Sequence, residues 1–238
     1  MAVGKGKLAK FKENETFKNV FQPEVSDFLN FTHELKGAWN KTVFGNNNPI
    51  VLELGCGKGE YTVGLARMFP EKNFIGVDIK GARIWTGAKA SNLEQMSNVA
   101  FLRTRIEVIK AFFAPGEVSE IWITFPDPQM KERRAKKRLT STLFLARYQR
   151  LLTDNGCVNL KTDSRFLYKY TCEVARHNNL DIVRQSADLY SEPWLDDMLQ
   201  IKTYYEQLHI DDGNTIHYLQ FRLPNNKKLE EPDFEFEP

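Results

Sequence analysis

The sequence predicts an α/β fold: a mostly parallel sheet with helices on both faces and an antiparallel strand pair at one edge. Three observations carry this. From residue 50 onward, short apolar runs rich in β-branched residues alternate with segments of helical periodicity. The first of these runs ends in a cluster of glycines, the place where open α/β sheets receive their ligands. Between the last two runs, 180–190 and 217–223, there is no helix-length apolar segment, so those strands are expected to pair antiparallel.

The elements follow in order. Residues 1–22 are polar, lysine-rich and punctuated by Phe11, Phe17 and Phe21, which predicts a basic mobile arm ahead of one domain over 23–224. Within 24–44, Phe28, Phe31, Leu35 and Trp39 share one helical face, and "GNNNP" at 45–49 is a turn. "IVLELG" (50–55) is a strand, "GEYTVGLARMFP" (59–70) a helix stopped by Pro70, "NFIGVDI" (73–79) a strand, and 80–97 helical. "VAFLRT" (99–104) is the third strand, followed by a short helix and "APGE"; "EIWITF" (120–125) is the fourth. A helix near 140–152 ends at the turn "TDNG", "GCVNLKT" (156–162) is the fifth strand, and 164–178 is a helix. "LDIVRQSADLY" (180–190) and "HYLQFRL" (217–223) complete the sheet, and 225–238 form an acidic tail. No internal repeat or low-complexity segment interrupts this order.

At 238 residues and 42% hydrophobic content the chain suits one well-buried domain with extensions and lies far from disordered composition. Its net charge of +2 hides an uneven distribution. Lys5, Lys7, Lys10, Lys12 and Lys18 open the chain; Lys131, Arg133, Arg134, Lys136, Lys137 and Arg138 form a second basic run; Glu230, Glu231, Asp233, Glu235 and Glu237 close it. Two basic segments in a near-neutral chain point to a polyanionic partner. Cys56, Cys157 and Cys172 are odd in number and lack metal-ligand spacing, which argues against a disulfide framework or structural zinc. No signal-peptide core or membrane-length apolar run is present, so the expectation is a soluble cytoplasmic protein without a membrane partner.

The strand ends collect the chemistry. "ELGCGKGE" places Glu53, Gly55, Gly57 and Gly59 at the first, Asp78 ends the second, Asp127 follows the fourth, and Asp163 the fifth. The spacing is G-x-G-x-G, not the G-x-G-x-x-G of a dinucleotide site, and Glu53 inside the strand would repel a pyrophosphate. A carboxylate there suits a ligand with a cationic end. S-adenosylmethionine has an ammonium, a sulfonium and two ribose hydroxyls, which Asp78 is placed to accept from. The plainer alternative is a structural turn with an incidental acid.

"LELGCGKGE", "GVDI", "FPDP" with its basic run, "LKTD" and "TYYE", in that order over about residues 50–223, resemble the bacterial tRNA (guanine-N7-)-methyltransferases. The resemblance implies the Rossmann-like class I methyltransferase fold with a seven-stranded sheet, S-adenosyl-L-methionine as cofactor, and a guanine N7 in the tRNA variable loop as target. It implies that Glu53 and Asp78 contact the cofactor, that Asp127 is catalytic, and that Lys131, Asp163, Thr203 and Glu206 serve the tRNA substrate. No obligate protein partner is implied; the state is a monomer or homodimer. The chain departs from the family pattern at Gln129 and Met130, where Trp-Pro is usual, and at Arg134, where His is usual. Arg105 falls where an acid often lies near the adenine; a guanidinium there can stack on the ring or donate to it.

The chemistry fits these residues. Guanine N7 carries a lone pair and no proton, so no base is needed to activate it. A carboxylate at Asp127 matches the N1–H and N2–H₂ donors of guanine and stabilises a ring becoming cationic. Pro126 and Pro128 stiffen its loop, although Pro-Asp-Pro is also ordinary turn chemistry. Arg133, Arg134, Lys136, Lys137 and Arg138 would contact the RNA backbone, which positions a substrate without choosing the base. For Thr203 and Glu206 the alternative is an amphipathic helix on which Tyr204 and Tyr205 pack. His33, His177, His209 and His217 lack ligand spacing and receive no role. A methyltransferase for another base or a small molecule, and an RNA-binding relative without activity, stay open at this stage.

Overall fold

A computed structural model describes residues 3–24 and 31–235. The chain divides into two compact units, Met1–Ala114 and Pro115–Pro238. Each is α/β in character; the strand pairs of the first are parallel, and the second combines parallel and antiparallel pairs.

The first unit contains helix α1 (Val3–Asn14) and strands β1 (Val20–Phe21), β2 (Ile50–Leu54), β3 (Asn73–Asp78) and β4 (Val99–Arg103). Helix α2 (Glu60–Met68) follows β2 and helix α3 (Gly81–Leu93) follows β3. The strand order is β1-β4-β3-β2, all parallel. The register sets Glu53 beside Gly76 and Asp78 beside Arg103. Leu52, Leu54, Ile75, Val77, Ala100 and Phe101 are buried, as near-continuous apolar strands of a parallel sheet must be. Phe101 occupies space that three glycines leave open. A Cβ added at Gly59, Gly76 or Gly87 would come within 2.5, 2.8 or 2.7 Å of its ring.

Two expectations change here. Residues 1–22, expected as a mobile arm, hold α1 and β1. The helix is fastened to α3, where Glu13 accepts from Trp85 Nε1 at 2.8 Å and from Lys89 Nζ at 2.9 Å and Asn14 Nδ2 donates to Gly81 O at 2.8 Å, and to the end of β4, where the Arg103 guanidinium lies 4.8 Å from the Phe11 ring. Among the described residues of the helical stretch expected over 24–44, the structure has a turn at 34–38 and a short π-helix, Asn40–Phe44. Gly37 in the left-handed region (φ 77°) breaks the α-helical run between Leu35 and Trp39. Trp39 is nevertheless core, donating Nε1–H to Phe112 O at 2.8 Å. Phe28, read as part of the same face, lies outside the described residues.

The second unit contains β5 (Val118–Thr124), α4 (Thr142–Tyr148), β6 (Leu152–Thr162), α5 (Arg165–His177), β7 (Ile182–Ser186), α6 (Tyr204–Asp211) and β8 (His217–Arg222). The order is β5-β6-β8-β7, with β5 and β6 parallel and β8 antiparallel to both β6 and β7. The antiparallel pair is therefore present, and the last strand inserts inside it while β7 takes the outer place. Strand β6 begins before the expected turn at "TDNG", because Leu152 already pairs with Val118 across an irregular register. With β1 the described residues hold eight strands, one more than the seven expected.

Candidate functional site

In the first unit the glycine turn joins β2 to α2. Gly55, Gly57 and Gly59 all have positive φ (80°, 55° and 72°), a conformation that residues with a Cβ rarely adopt. Gly55 N and Cys56 N both donate to Val77 O, at 2.8 and 3.0 Å, which ties the turn to the end of β3. Asp78 closes it from that side: Oδ2 accepts from Gly57 N at 2.9 Å and Oδ1 from Lys80 N at 2.7 Å. Glu53 is buried beneath, and its Oε2 accepts from Thr62 N at 2.8 Å and from the Thr62 hydroxyl, so the carboxylate sits against the positive end of α2. Glu53 and Asp78 are thus brought to one turn, as the sequence implied, each already accepting from donors near α2. Burial, with these two carboxylates, pushes the Cys56 thiol well above its usual range and keeps it protonated. Arg105 stands exposed at the start of a 3₁₀ turn, Ile106–Ala111, two residues past the end of β4.

In the second unit β5 ends at Thr124, and Phe125 N donates to Lys161 O at 2.8 Å. Phe125 then takes φ 47° and Gln129 φ 48°, both in the left-handed region, which is strained for a bulky side chain. Asp127 projects exposed between these two bends, and its Oδ1 accepts from Gln129 N at 3.0 Å. Lys131, Arg133, Arg134, Lys136 and Lys137 follow, all exposed, in and just before the 3₁₀ turn Glu132–Lys137. Arg138 departs from the phosphate-contact reading. It is 6% exposed, with its guanidinium 4.7 Å from the Phe166 ring and 4.4 Å from that of Tyr170, and its Nε donates to Gln129 O at 3.3 Å. A cation held between two rings is not presented to a polyanion.

The "KTD" segment ends β6. The Thr162 hydroxyl accepts from Ser164 N, and Ser164 caps α5 by accepting from Leu167 N. Asp163 Oδ2 lies 3.5 Å from His209 Nδ1, and the His209 ring stacks at 6.3 Å on Phe125. His209, given no role from the sequence, therefore joins Asp163 to the residue that opens the Asp127 loop; only its distant position in the chain concealed it. Thr203 is the N-cap of α6, in a capping box with Glu206. Glu206 is fully buried, paired with Lys161 Nζ at 2.7 Å and accepting from the Tyr190 hydroxyl at 2.6 Å. Lys161 Nζ also donates to Leu199 O and Ile201 O, and burial pulls its pKa below the ordinary lysine value, against the pull of Glu206. Burial, then Glu206, raise that of Tyr190. Tyr204 and Tyr205, expected to pack if α6 were merely amphipathic, are instead exposed.

Comparison with known proteins now decides the family. A family model described as "Putative methyltransferase" matches residues 47–219. The tRNA (guanine-N(7)-)-methyltransferase of Bacteroides fragilis is 55% identical over 99% of this chain and 92% of its own. That of Porphyromonas gingivalis is 53% identical over 94% and 93%. The chain belongs to the tRNA (guanine-N(7)-)-methyltransferase family. The same family was read from the order of motifs in the sequence. Among solved structures the 16S rRNA methyltransferase KamB is similar with a TM-score of 0.60, at 13% identity, over 81% of this chain and 95% of the other. A 16S rRNA (adenine(1408)-N(1))-methyltransferase of Catenulisporales acidiphilia gives 0.56 at 14% identity over 79% and 93%. At such identities the likeness concerns the fold. Among the described residues of this family member, no helix is long and apolar enough to cross a membrane.

Proposed function

We propose that this chain transfers a methyl group from S-adenosyl-L-methionine to N7 of a guanine in the variable loop of tRNA, in the cytoplasm. The observation that carries the reading is identity of 50–55% across at least 92% of the chain with bacterial tRNA (guanine-N(7)-)-methyltransferases.

The donor set of the first unit fits the cofactor: a glycine turn at a helix N-terminus, bounded by two carboxylates that would repel a phosphate and suit a cationic ligand. Gly55, Gly57 and Gly59 let backbone approach the ligand; Asp78 accepts from ribose hydroxyls in exchange for the backbone amides it now holds; Glu53 supplies negative charge toward the ammonium end while holding α2. Arg105 lies on the adenine side, as a donor or a stacking plane. When bound, S-adenosylmethionine supplies an electrophilic methyl on a sulfonium.

The residues of the second unit hold the nucleophile. Guanine N7 attacks with its own lone pair, so the protein's task is alignment and charge. Orientation alone is worth up to roughly 7–11 kcal/mol in well-ordered systems. Asp127 accepts from guanine N1–H and N2–H₂, a donor pattern adenine lacks, and its charge faces the purine as that ring becomes cationic. Its exposure and its place between two left-handed bends support this assignment. Lys131, Arg133, Arg134, Lys136 and Lys137 contact phosphates. Asp163 and Thr203 border the substrate. Glu206, being buried, serves it indirectly by fixing the N-terminus of α6 and, through Lys161, the 199–201 backbone.

The test is methyl transfer from labelled cofactor to bulk unmodified tRNA, with nucleoside analysis of the product. N7-methylguanosine is expected; a different methylated nucleoside, or none with the cofactor bound, overturns the reading.

A further inference from the structure

The acidic tail is fastened to the second unit by an ordered series of contacts. Gln149 Nε2 donates to Pro224 O at 2.6 Å and to Lys227 O at 2.9 Å, while Asn178 exchanges hydrogen bonds with the Glu230 backbone at 2.9 and 2.8 Å. The Glu231 carboxylate accepts from Thr142 N (3.2 Å) and Thr142 Oγ1 (2.5 Å), the first residue of α4, and from the Tyr170 hydroxyl. Phe234 sets its ring edge-on against Phe166 at 5.7 Å and Tyr170 at 5.4 Å. Phe166 and Tyr170 stand one turn apart on α5, and they are the same two rings that hold the Arg138 guanidinium. Arg138 Nε grips Gln129 O, and Gln129 N grips Asp127 Oδ1.

We propose that Glu231 and Phe234 are positioning residues for Asp127, acting through Tyr170, Phe166, Arg138 and the Gln129 backbone. This rests on the reading of Asp127 as the group that grips guanine. The Asp127 loop is bent at both ends into the left-handed region. Such bends persist only where surrounding contacts hold them. Arg138 supplies one of those contacts, and a guanidinium between two rings stays fixed only while the rings do. The tail locks the rings: Glu231 takes the Tyr170 hydroxyl, and Phe234 fills the space beside both faces. The charges along the tail are therefore secondary to its two anchors.

The experiment is single-turnover methylation of tRNA by full-length Glu231→Ala, Phe234→Ala and the double variant, each made also in an Asp127→Asn background. Small displacements of a reacting group carry large rate penalties, so a loss of about tenfold is expected for the double variant, with S-adenosylmethionine and tRNA affinities within about twofold of wild type. In the Asp127→Asn background the same changes are expected to cost less than about twofold, because residues that act as a unit do not add. Glu231→Gln and Phe234→Trp, which keep an acceptor and a ring, are expected to keep the rate. An undiminished rate in the double variant, an equal loss in both backgrounds, or a loss of cofactor affinity overturns the proposal. Should the double variant not fold, the single variants carry the same comparison. Wild-type rates in Asp127→Asn itself would instead remove the reading of Asp127, an outcome distinct from additive tail effects.

Discussion

The glycine turn of the first unit and the Asp127 loop of the second both place carboxylates at the ends of parallel strands, by opposite means. Glu53 and Asp78 are held by amides and a hydroxyl of their own neighbourhood, on a turn made possible by three glycines. Asp127 is exposed, flanked by prolines, and bends are imposed on Phe125 and Gln129, which have side chains to strain. The first arrangement keeps its acids satisfied before any ligand arrives and so defines a shape. The second spends conformational strain to leave a carboxylate facing outward. A binding role suits one and a chemical role the other, and substitutions that separate affinity from rate can break that contrast.

The largest effect is expected from Asp127→Asn, which keeps the shape and removes the charge. Single-turnover methylation should fall between about a hundredfold and a thousandfold, the usual cost of removing an electrostatic contact made to a transition state, with cofactor affinity unchanged by calorimetry. A loss seen mainly in tRNA binding would place Asp127 with the binding residues. Next come Asp78→Ala and Glu53→Ala, each expected to weaken S-adenosylmethionine binding by about 1.5–3 kcal/mol as charge-assisted acceptors are lost. Glu53→Ala should also lower the melting temperature, since Thr62 loses its partner; unchanged affinity in both variants would misplace the cofactor.

A third comparison lies within the basic run. Replacing Arg133, Arg134, Lys136 and Lys137 together by Ala should raise the KM for tRNA and flatten its salt dependence, by up to about 0.9 in log–log slope for each phosphate contact on duplex. Arg138→Ala should leave that slope alone and instead reduce thermal stability, since its guanidinium is engaged with two rings. If Arg138→Ala alters the salt slope as the others do, the buried reading of Arg138 fails in solution.

The smallest effect concerns pH. Burial pulls the His217 pKa below its ordinary value, with the ring stacked on Tyr168 and Nδ1 at 2.6 Å from Ala187 O. The unfolded chain therefore binds a proton, near the ordinary histidine value of about 6.5, that the folded chain resists. Unfolding takes up protons in that window, so stability rises with pH through it and levels off above. His33 is shifted the same way by burial. His217→Gln should reduce, without abolishing, the loss of melting temperature between neutral and mildly acidic pH; an unchanged slope would mean that His217 titrates normally in the fold.

The legible parts of the molecule were those governed by local pattern. Strands β2 to β5, the glycine turn and helix α5 follow from apolar periodicity and turn residues, and the family from the order of motifs at strand ends. What escaped depends on partners distant in the chain. Helix α1 is lysine-rich and weakly amphipathic, and becomes a helix of the fold because Glu13 meets Trp85 and Lys89 more than seventy residues on. Gly37 defeated a helical periodicity that Leu35 and Trp39 otherwise satisfy. Arg138 looks identical in sequence to the exposed cations before it, and only the rings of α5 take it out of solvent. Glu206 likewise reads as a surface acid until Lys161, forty-five residues earlier, is found beside it.

Phe101 has a consequence for how this chain can change. Its ring fills a space to which Gly59, Gly76 and Gly87 contribute by lacking a side chain. The four positions form one mutational unit with a fixed order of events. Alanine at Gly76 collides with the ring while Phe101 is present, and enters only once that ring has been replaced by something smaller and Thr62 Oγ1, 2.9 Å from the new Cβ, has moved aside; at Gly87 the Lys58 carbonyl, 2.8 Å from a Cβ, excludes a side chain even then. The reverse order passes through an overpacked protein, which typically costs about 1–3 kcal/mol. Gly59 stays excluded along either route, because its left-handed backbone, and not the ring alone, forbids a side chain. The first step open to this corner of the molecule is therefore at Phe101, a residue far from any ligand atom in role, and one that screens confined to the glycine turn would never touch.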